Sequence, residues 1–268
     1  MDKTGIFLTG GGGIGAFHIG FFKALEERNI KYDVICGSSV GALVGGAATY
    51  LNSKEMLEAW SILSLESVLK IDSQKVKDKE GFKRNLILYR ECLKSCLRKD
   101  PNYMIDINDI RKLLYSVLDG EQIKKSQIEL GVTTTELPSM KMQKIYTEDM
   151  QKNPLEYILA SIYLPIFSRQ RIINDKHYID IAGYRRFPLE MLKEKNCKKI
   201  YIVNIETNHL KRLQNPIHLN FNTGEEITII DYDKKPSSLD FSHEQTKVNY
   251  RNGYETTMKV LEKKLVYN

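Results

Sequence analysis

Twice near its start the chain runs from a short strand-forming stretch directly into a glycine-bounded turn and then into a helix-compatible segment. Residues 5–9 (GIFLT) enter the cluster Gly10-Gly11-Gly12-Gly13-Ile14-Gly15. Residues 15–28 follow, with Phe17, Phe21 and Leu25 at helical spacing and charge gathered at the end. Residues 32–36 form a second β-rich run, which enters Gly37-Ser38-Ser39-Val40-Gly41 and a small-residue helix over 41–50. Parallel neighbouring strands need a crossover between them, and helices supply it. The pattern therefore predicts an α/β fold in which a mainly parallel sheet is covered on both faces.

Strand-like runs return at residues 130–137, 142–147, 199–205 and 227–231. Helical patterns occupy 155–162, stopped by Pro165, and 242–264, while residues 171–181 read as a hairpin leading into a turn. The expected organisation is a single domain over 1–268. Within it, 53–126 forms a variable helical insert or lid, and 206–268 contributes a C-terminal strand and helix.

Composition excludes several classes. The four cysteines (Cys36, Cys92, Cys96, Cys197) are too scattered for a disulfide framework, and no second pair completes a zinc site beside Cys92 and Cys96. The uncharged run 34–51 has the length of a marginal membrane span, but its glycines and serines fit a buried strand, turn and helix better. A net charge of +6 is modest. The basic residues between Lys75 and Lys99 are interspersed with acidic ones and read as a solvated helical face, or as an attraction to anionic lipid. No aromatic-interleaved basic module points to nucleic acid. The N-terminus lacks a secretory pattern, so a cytoplasmic protein with peripheral membrane contact is expected.

Both turns can carry chemistry. Gly37-Ser38-Ser39-Val40-Gly41 fits G-x-S-x-G, where a serine at a strained strand-to-helix turn is exposed at the carboxyl edge of a sheet. Flanking side chains would collide, hence Gly37 and Gly41 on either side. The first turn contains G-x-G-x-x-G at Gly10, Gly12 and Gly15. A dinucleotide site would also need an acidic residue at the end of the second strand, whereas Asp33 stands at that strand's start. A donor loop fits better, with the N–H groups of Gly10, Gly11, Gly12 and Gly13 converging on an oxygen that gains charge.

The stretch LTGGGGIGAFHIGFFKALEE followed by GSSVGAL resembles the opening of patatin-like phospholipases. VTTTEL (132–137), ILASIYLPIF (158–167) and YIDIAGYRRFPL (178–189) follow in that family's order, so the resemblance spans roughly residues 5–205. It implies a three-layer α/β/α sandwich and a Ser–Asp dyad without histidine. Ser39 would attack a lipid ester, Asp180 would act as general base, and the Gly10–Gly13 loop would form the oxyanion hole, with no metal or cofactor. The chain departs from the family at Ile14, where Arg or Lys is usual, and at Ile181, where glycine usually follows the aspartate.

Two rival readings have other signatures. A Ser-His-Asp hydrolase would use Ser39, Asp180 and one of His209, His218 or His243, yet only two strands precede Ser39. A binding protein that has lost its chemistry would be inert towards activated esters. Ile62, Leu63, Leu65, Val68 and Leu69 are candidates for an acyl channel or lid, against plain core packing.

Overall fold

The computed structural model describes residues 2–63, 106–150, 153–164, 173–180, 188–206, 224–234 and 237–267, with side chains as far as 263. β1 (Lys3–Leu8) leads through a 3₁₀ turn (Gly12–Gly15) into α1 (Ala16–Glu27). β2 (Val34–Ser38) leads into α2 (Val40–Ala48), and α3 (Ser53–Ile62) follows. After α4 (Ile107–Val117) and α5 (Gly120–Lys125) come β3 (Glu129–Leu137), β4 (Lys141–Tyr146) and α6 (Pro154–Ser161). β5 (His177–Ile179), α7 (Glu190–Glu194), β6 (Cys197–Asn204), β7 (Glu226–Asp231) and α8 (His243–Tyr267) complete the order.

The strands form one sheet in the order β4-β3-β2-β1-β6-β7, parallel from β3 to β7, with β4 antiparallel on the β3 edge. Alternate residues of the central strands serve opposite faces. Ile6, Leu8, Ile35, Tyr201 and Val203 join the cluster under α1, α2, α3, α4, α6 and α8. Phe7, Val34, Cys36, Ile200 and Ile202 join a smaller one with Leu189, Met191 and Leu192 at α7. The two clusters make the three-layer α/β/α sandwich. Phe17, Phe21 and Phe22 of α1 are at most 1% exposed, each burial contributing about 1.5–3 kcal/mol before entropy is subtracted.

The local expectations and the observed elements differ by small margins. The run 34–51 is a buried strand, a turn and a helix, and among the described residues no helix is long and apolar enough to cross a membrane. Among the described residues of the stretch read as a hairpin, Ile173 and Lys176 bridge each other, and the strand that follows pairs with β3. The reason is that β3 extends beyond the end of β2, and its free flank from Thr135 to Leu137 offers ladder partners that β5 takes up. The flanks of the expected insert pack into the main core through Met56, Trp60, Ile107, Ile110, Leu114 and Ile123. Its centre lies outside the described residues, as do Leu65, Val68, Leu69, Cys92, Cys96 and the basic run from Lys75 to Lys99. Ile62 is 55% exposed, whereas Leu63 packs against the core.

Candidate active site

β2 and β5 approach each other head-on along one flank of β3. β2 pairs with β3 as far as Ser38↔Thr133, and β5 arrives antiparallel with Ile179↔Thr135. The next residue of each strand is Ser39 and Asp180, so both are delivered to the gap beside Thr134. There the Ser39 hydroxyl donates to Asp180 Oδ2 at 2.5 Å. Asp180 is 8% exposed and Ser39 half-buried. The serine bonds the carboxylate directly, with no imidazole between them.

Ser39 holds φ 54° and ψ −128°, a conformation that side-chain-bearing residues rarely adopt. Tight packing enforces it. A Cβ on Gly37 would lie 2.4 Å from the Gly41 carbonyl oxygen, and one on Gly41 would lie 2.3 Å from that of Leu8. α2 begins at Val40, so its first N–H groups and the positive end of its dipole open beside the serine.

The end of α6 and the residues just after it brace both residues through their backbone N–H groups. Ser161, fully buried, accepts the Ser39 N–H at 2.8 Å, and the Tyr163 carbonyl accepts the Asp180 N–H at 2.7 Å. Thr134 Oγ1 lies 2.8 Å from the Ala160 carbonyl and 3.1 Å from that of Ile179, tying α6 to β5 through β3. Ser38 Oγ and Thr133 Oγ1 meet at 2.7 Å on the strand pair below. Ser161 is the residue that the sequence reading missed as a functional one. Its signal was the Ala-Ser pair within ILASIYLPIF, and its role depends on a fold contact 122 positions away.

The glycine loop lies against this pair. A Cβ on Gly10 would sit 3.1 Å from Ser39 Cβ and 3.7 Å from its Oγ. The N–H groups of Gly10, Gly11 and Gly12 carry no hydrogen bond among the described residues. Gly13, expected as a fourth donor, has its N–H engaged within the chain. Its N–H donates to the Ser238 carbonyl at 2.7 Å, because the C-terminal segment passes directly against the loop. Ile14 is fully buried in the main core.

The remaining candidates separate clearly. Asp33 lies at the amino edge of the sheet, where its Oδ2 accepts the Thr4 N–H at 2.7 Å. His18 is fully buried, and its Nε2 donates to the Thr9 carbonyl at 2.9 Å. Burial lowers its pKa to about 4, against that hydrogen bond, so the ring is neutral near pH 7. His243 opens α8, while His209, His218 and Ile181 lie outside the described residues. Among the described residues no group of three or more His, Cys, Asp or Glu side chains is placed to hold a metal.

Known proteins share this architecture. The family model described as patatin-like phospholipase matches residues 6–193. A lysophospholipase NTE1 of Mycosarcoma maydis is 45% identical over 58 residues, 22% of this chain and 3% of that protein. The triacylglycerol lipase ptl3 of Schizosaccharomyces pombe is 44% identical over 53 residues, 20% of this chain and 11% of its own length. The chain thus corresponds to a small part of these relatives. Among solved structures, VipD of Legionella pneumophila superposes with TM-score 0.55 at 15% identity, over 98% of this chain and 67% of that one. The type III effector ExoU gives 0.50 at 17%, over 98% and 53%. These two likenesses concern the fold. With the family model covering most of its length, the chain belongs to the patatin-like phospholipase family.

Proposed function

We propose that the chain is a lipid acyl hydrolase in which Ser39 is the nucleophile and Asp180 its general base. The observation that carries the reading is the 2.5 Å hydrogen bond from Ser39 Oγ to Asp180 Oδ2, made by a serine held at positive φ between a strand and a helix. Family membership and the names of the relatives, a lysophospholipase and a triacylglycerol lipase, support a lipid ester as substrate.

In this scheme Ser39 Oγ attacks the ester carbonyl carbon while its proton moves to Asp180. The carbonyl oxygen becomes an oxyanion facing the N–H groups of Gly10, Gly11 and Gly12; Gly13 is left out because Ser238 already holds its N–H. Collapse of the tetrahedral intermediate breaks the ester C–O bond, and the proton on Asp180 passes to the departing alcohol. Asp180 then takes a proton from water, whose oxygen attacks the acyl-enzyme. The resulting intermediate releases the fatty acid and restores the serine. Ser161 and the Tyr163 carbonyl position the two partners without touching substrate. Access to lipid implies peripheral contact with a membrane or micelle surface.

Treatment with a fluorescent fluorophosphonate tests this without knowledge of the substrate. Wild type is expected to label, with labelling lost in Ser39→Ala and reduced at least about 10³-fold in rate in Asp180→Asn. Folded wild type that resists labelling and leaves every activated ester intact would favour a lipid-binding protein that has lost its chemistry.

A further inference from the structure

The glycine loop is gripped from the far end of the chain, by residues beyond the segment that matches the family. Gly13 donates its N–H to the Ser238 carbonyl at 2.7 Å, and its own carbonyl accepts from Asn249 Nδ2 at 3.2 Å. Both backbone groups of one loop residue are therefore bonded to the C-terminal region. The fit allows no slack. Gly12 stands at φ +56°, and a Cβ there would lie 2.3 Å from the Ser238 carbonyl oxygen; at Gly13 it would lie 2.4 Å from that of Asp240.

Asn249 is held in turn. It is fully buried on α8, and its Oδ1 accepts from Tyr232 Oη at 3.1 Å and from Gln245 Nε2 at 2.9 Å. Those donors fix which end of the amide faces the loop, because only the Nδ2 end can donate to a carbonyl. Tyr232 is 1% exposed, its ring lies 4.5 Å from that of Phe17, and its hydroxyl accepts from Asn252 Nδ2 at 3.3 Å. Lys234 donates to Asn252 Oδ1 at 2.7 Å and closes the chain of bonds.

We propose that Asn249, oriented by Tyr232, is a positioning residue for the oxyanion loop, so that the donor geometry at Gly10, Gly11 and Gly12 is set by the C-terminal region. The proposal rests on the reading of that loop given above. It also accounts for a loop that does without a cation at position 14, where Ile14 is buried in the apolar core. Two bonds to one residue anchor the loop without spending a donor that substrate needs. Loss of the anchor lets the donors drift, and displacement of a catalytic group by about 1 Å costs about a hundredfold in rate.

The test compares wild type with Asn249→Ala and Tyr232→Phe on a p-nitrophenyl acyl ester and on its thionoester analogue. Sulfur is a poor hydrogen-bond acceptor, so aligned donors accelerate the oxygen ester far more than the thionoester. Expected for Asn249→Ala is a fall of about tenfold to a hundredfold in kcat on the oxygen ester with KM little changed. The preference for oxygen over sulfur should narrow in parallel. Tyr232→Phe, which keeps the ring against Phe17, should show the same pattern more weakly, and it decides the matter if Asn249→Ala does not fold. Unchanged rates, or equal losses on both esters, overturn the proposal. Should wild type prove inert, the proposed function fails separately. Amide hydrogen exchange over residues 9–16 then decides the grip: faster exchange in either variant supports it, and unchanged exchange overturns it.

Discussion

The two edges of the sheet are built from different interactions. At the carboxyl edge, Ser39 and Asp180 meet across 141 positions, packed between glycines and braced by backbone carbonyls and one buried hydroxyl. At the amino edge, Lys195 pairs with Glu129 at 2.5 Å and with Glu148, and lies 4.1 Å from the centre of the Tyr146 ring. Tyr146 donates to Glu194 at 2.7 Å, and Asp33 accepts the Thr4 N–H nearby. One edge holds a strained backbone and a hydroxyl aimed at an acceptor. The other holds opposite charges that satisfy one another. Strain persists only where surrounding packing fixes the backbone, so the carboxyl edge should trade stability for chemistry while the amino edge contributes stability alone.

The largest expected effect tests the carboxyl edge. Ser39→Gly removes both the proposed nucleophile and the Cβ that makes φ 54° unfavourable. Ester hydrolysis should fall by at least about 10³-fold, while chemical denaturation should show a gain of about 1 kcal/mol. A variant less stable than wild type would mean that the turn stores no strain.

His18 sharpens the comparison, because it supports the carboxyl edge with a neutral ring beneath Thr9. Its pKa is about 4 when folded, against the ordinary imidazole value of 6.5. Below pH 6.5 the unfolded chain binds the proton that the folded ring refuses. The contribution is therefore complete above about pH 6.5 and declines as pH falls towards 4. The loss should reach about 2 kcal/mol at pH 5 and approach about 3 kcal/mol at lower pH. Urea unfolding of wild type and His18→Gln at pH 7 and pH 5 measures it. If the two proteins lose stability equally over that interval, His18 does not carry the effect.

The smallest effect belongs to the amino edge. Lys195→Met keeps most of the stem over Tyr146 and deletes the charge shared by Glu129 and Glu148. A stability loss of about 1 kcal/mol is expected, with fluorophosphonate labelling at the wild-type rate. A drop in labelling would dissolve the division between the two edges.

Much of the carboxyl edge was legible beforehand. The strand that ends at Ser38 and the helix that starts at Val40 follow from a β-rich run, flanking glycines and small residues, all within a few positions of Ser39. Residue 180 was reached only by resemblance, since nothing local marks that aspartate as a partner of Ser39. Among the described residues of the hairpin expected around it there is one bridge, Ile173 with Lys176, while the free flank of β3 offers β5 a longer pairing. Ser161 was invisible as a brace, because a serine near the end of an apolar helix reads the same whether or not a distant N–H needs it.

By itself the sequence determined the alternation of strand, glycine turn and helix, the serine at the second turn, and the need for small residues around it. These are steric facts settled between near neighbours. Only the tertiary structure decided which acceptor the serine meets and which helix end steadies the pair. It also decided that the Gly13 N–H is taken by Ser238 while the N–H groups of Gly10 to Gly12 are left without a partner among the described residues. Those choices join segments more than a hundred residues apart. Their geometry comes from how sheet and helices pack around a shared core, which no local pattern encodes.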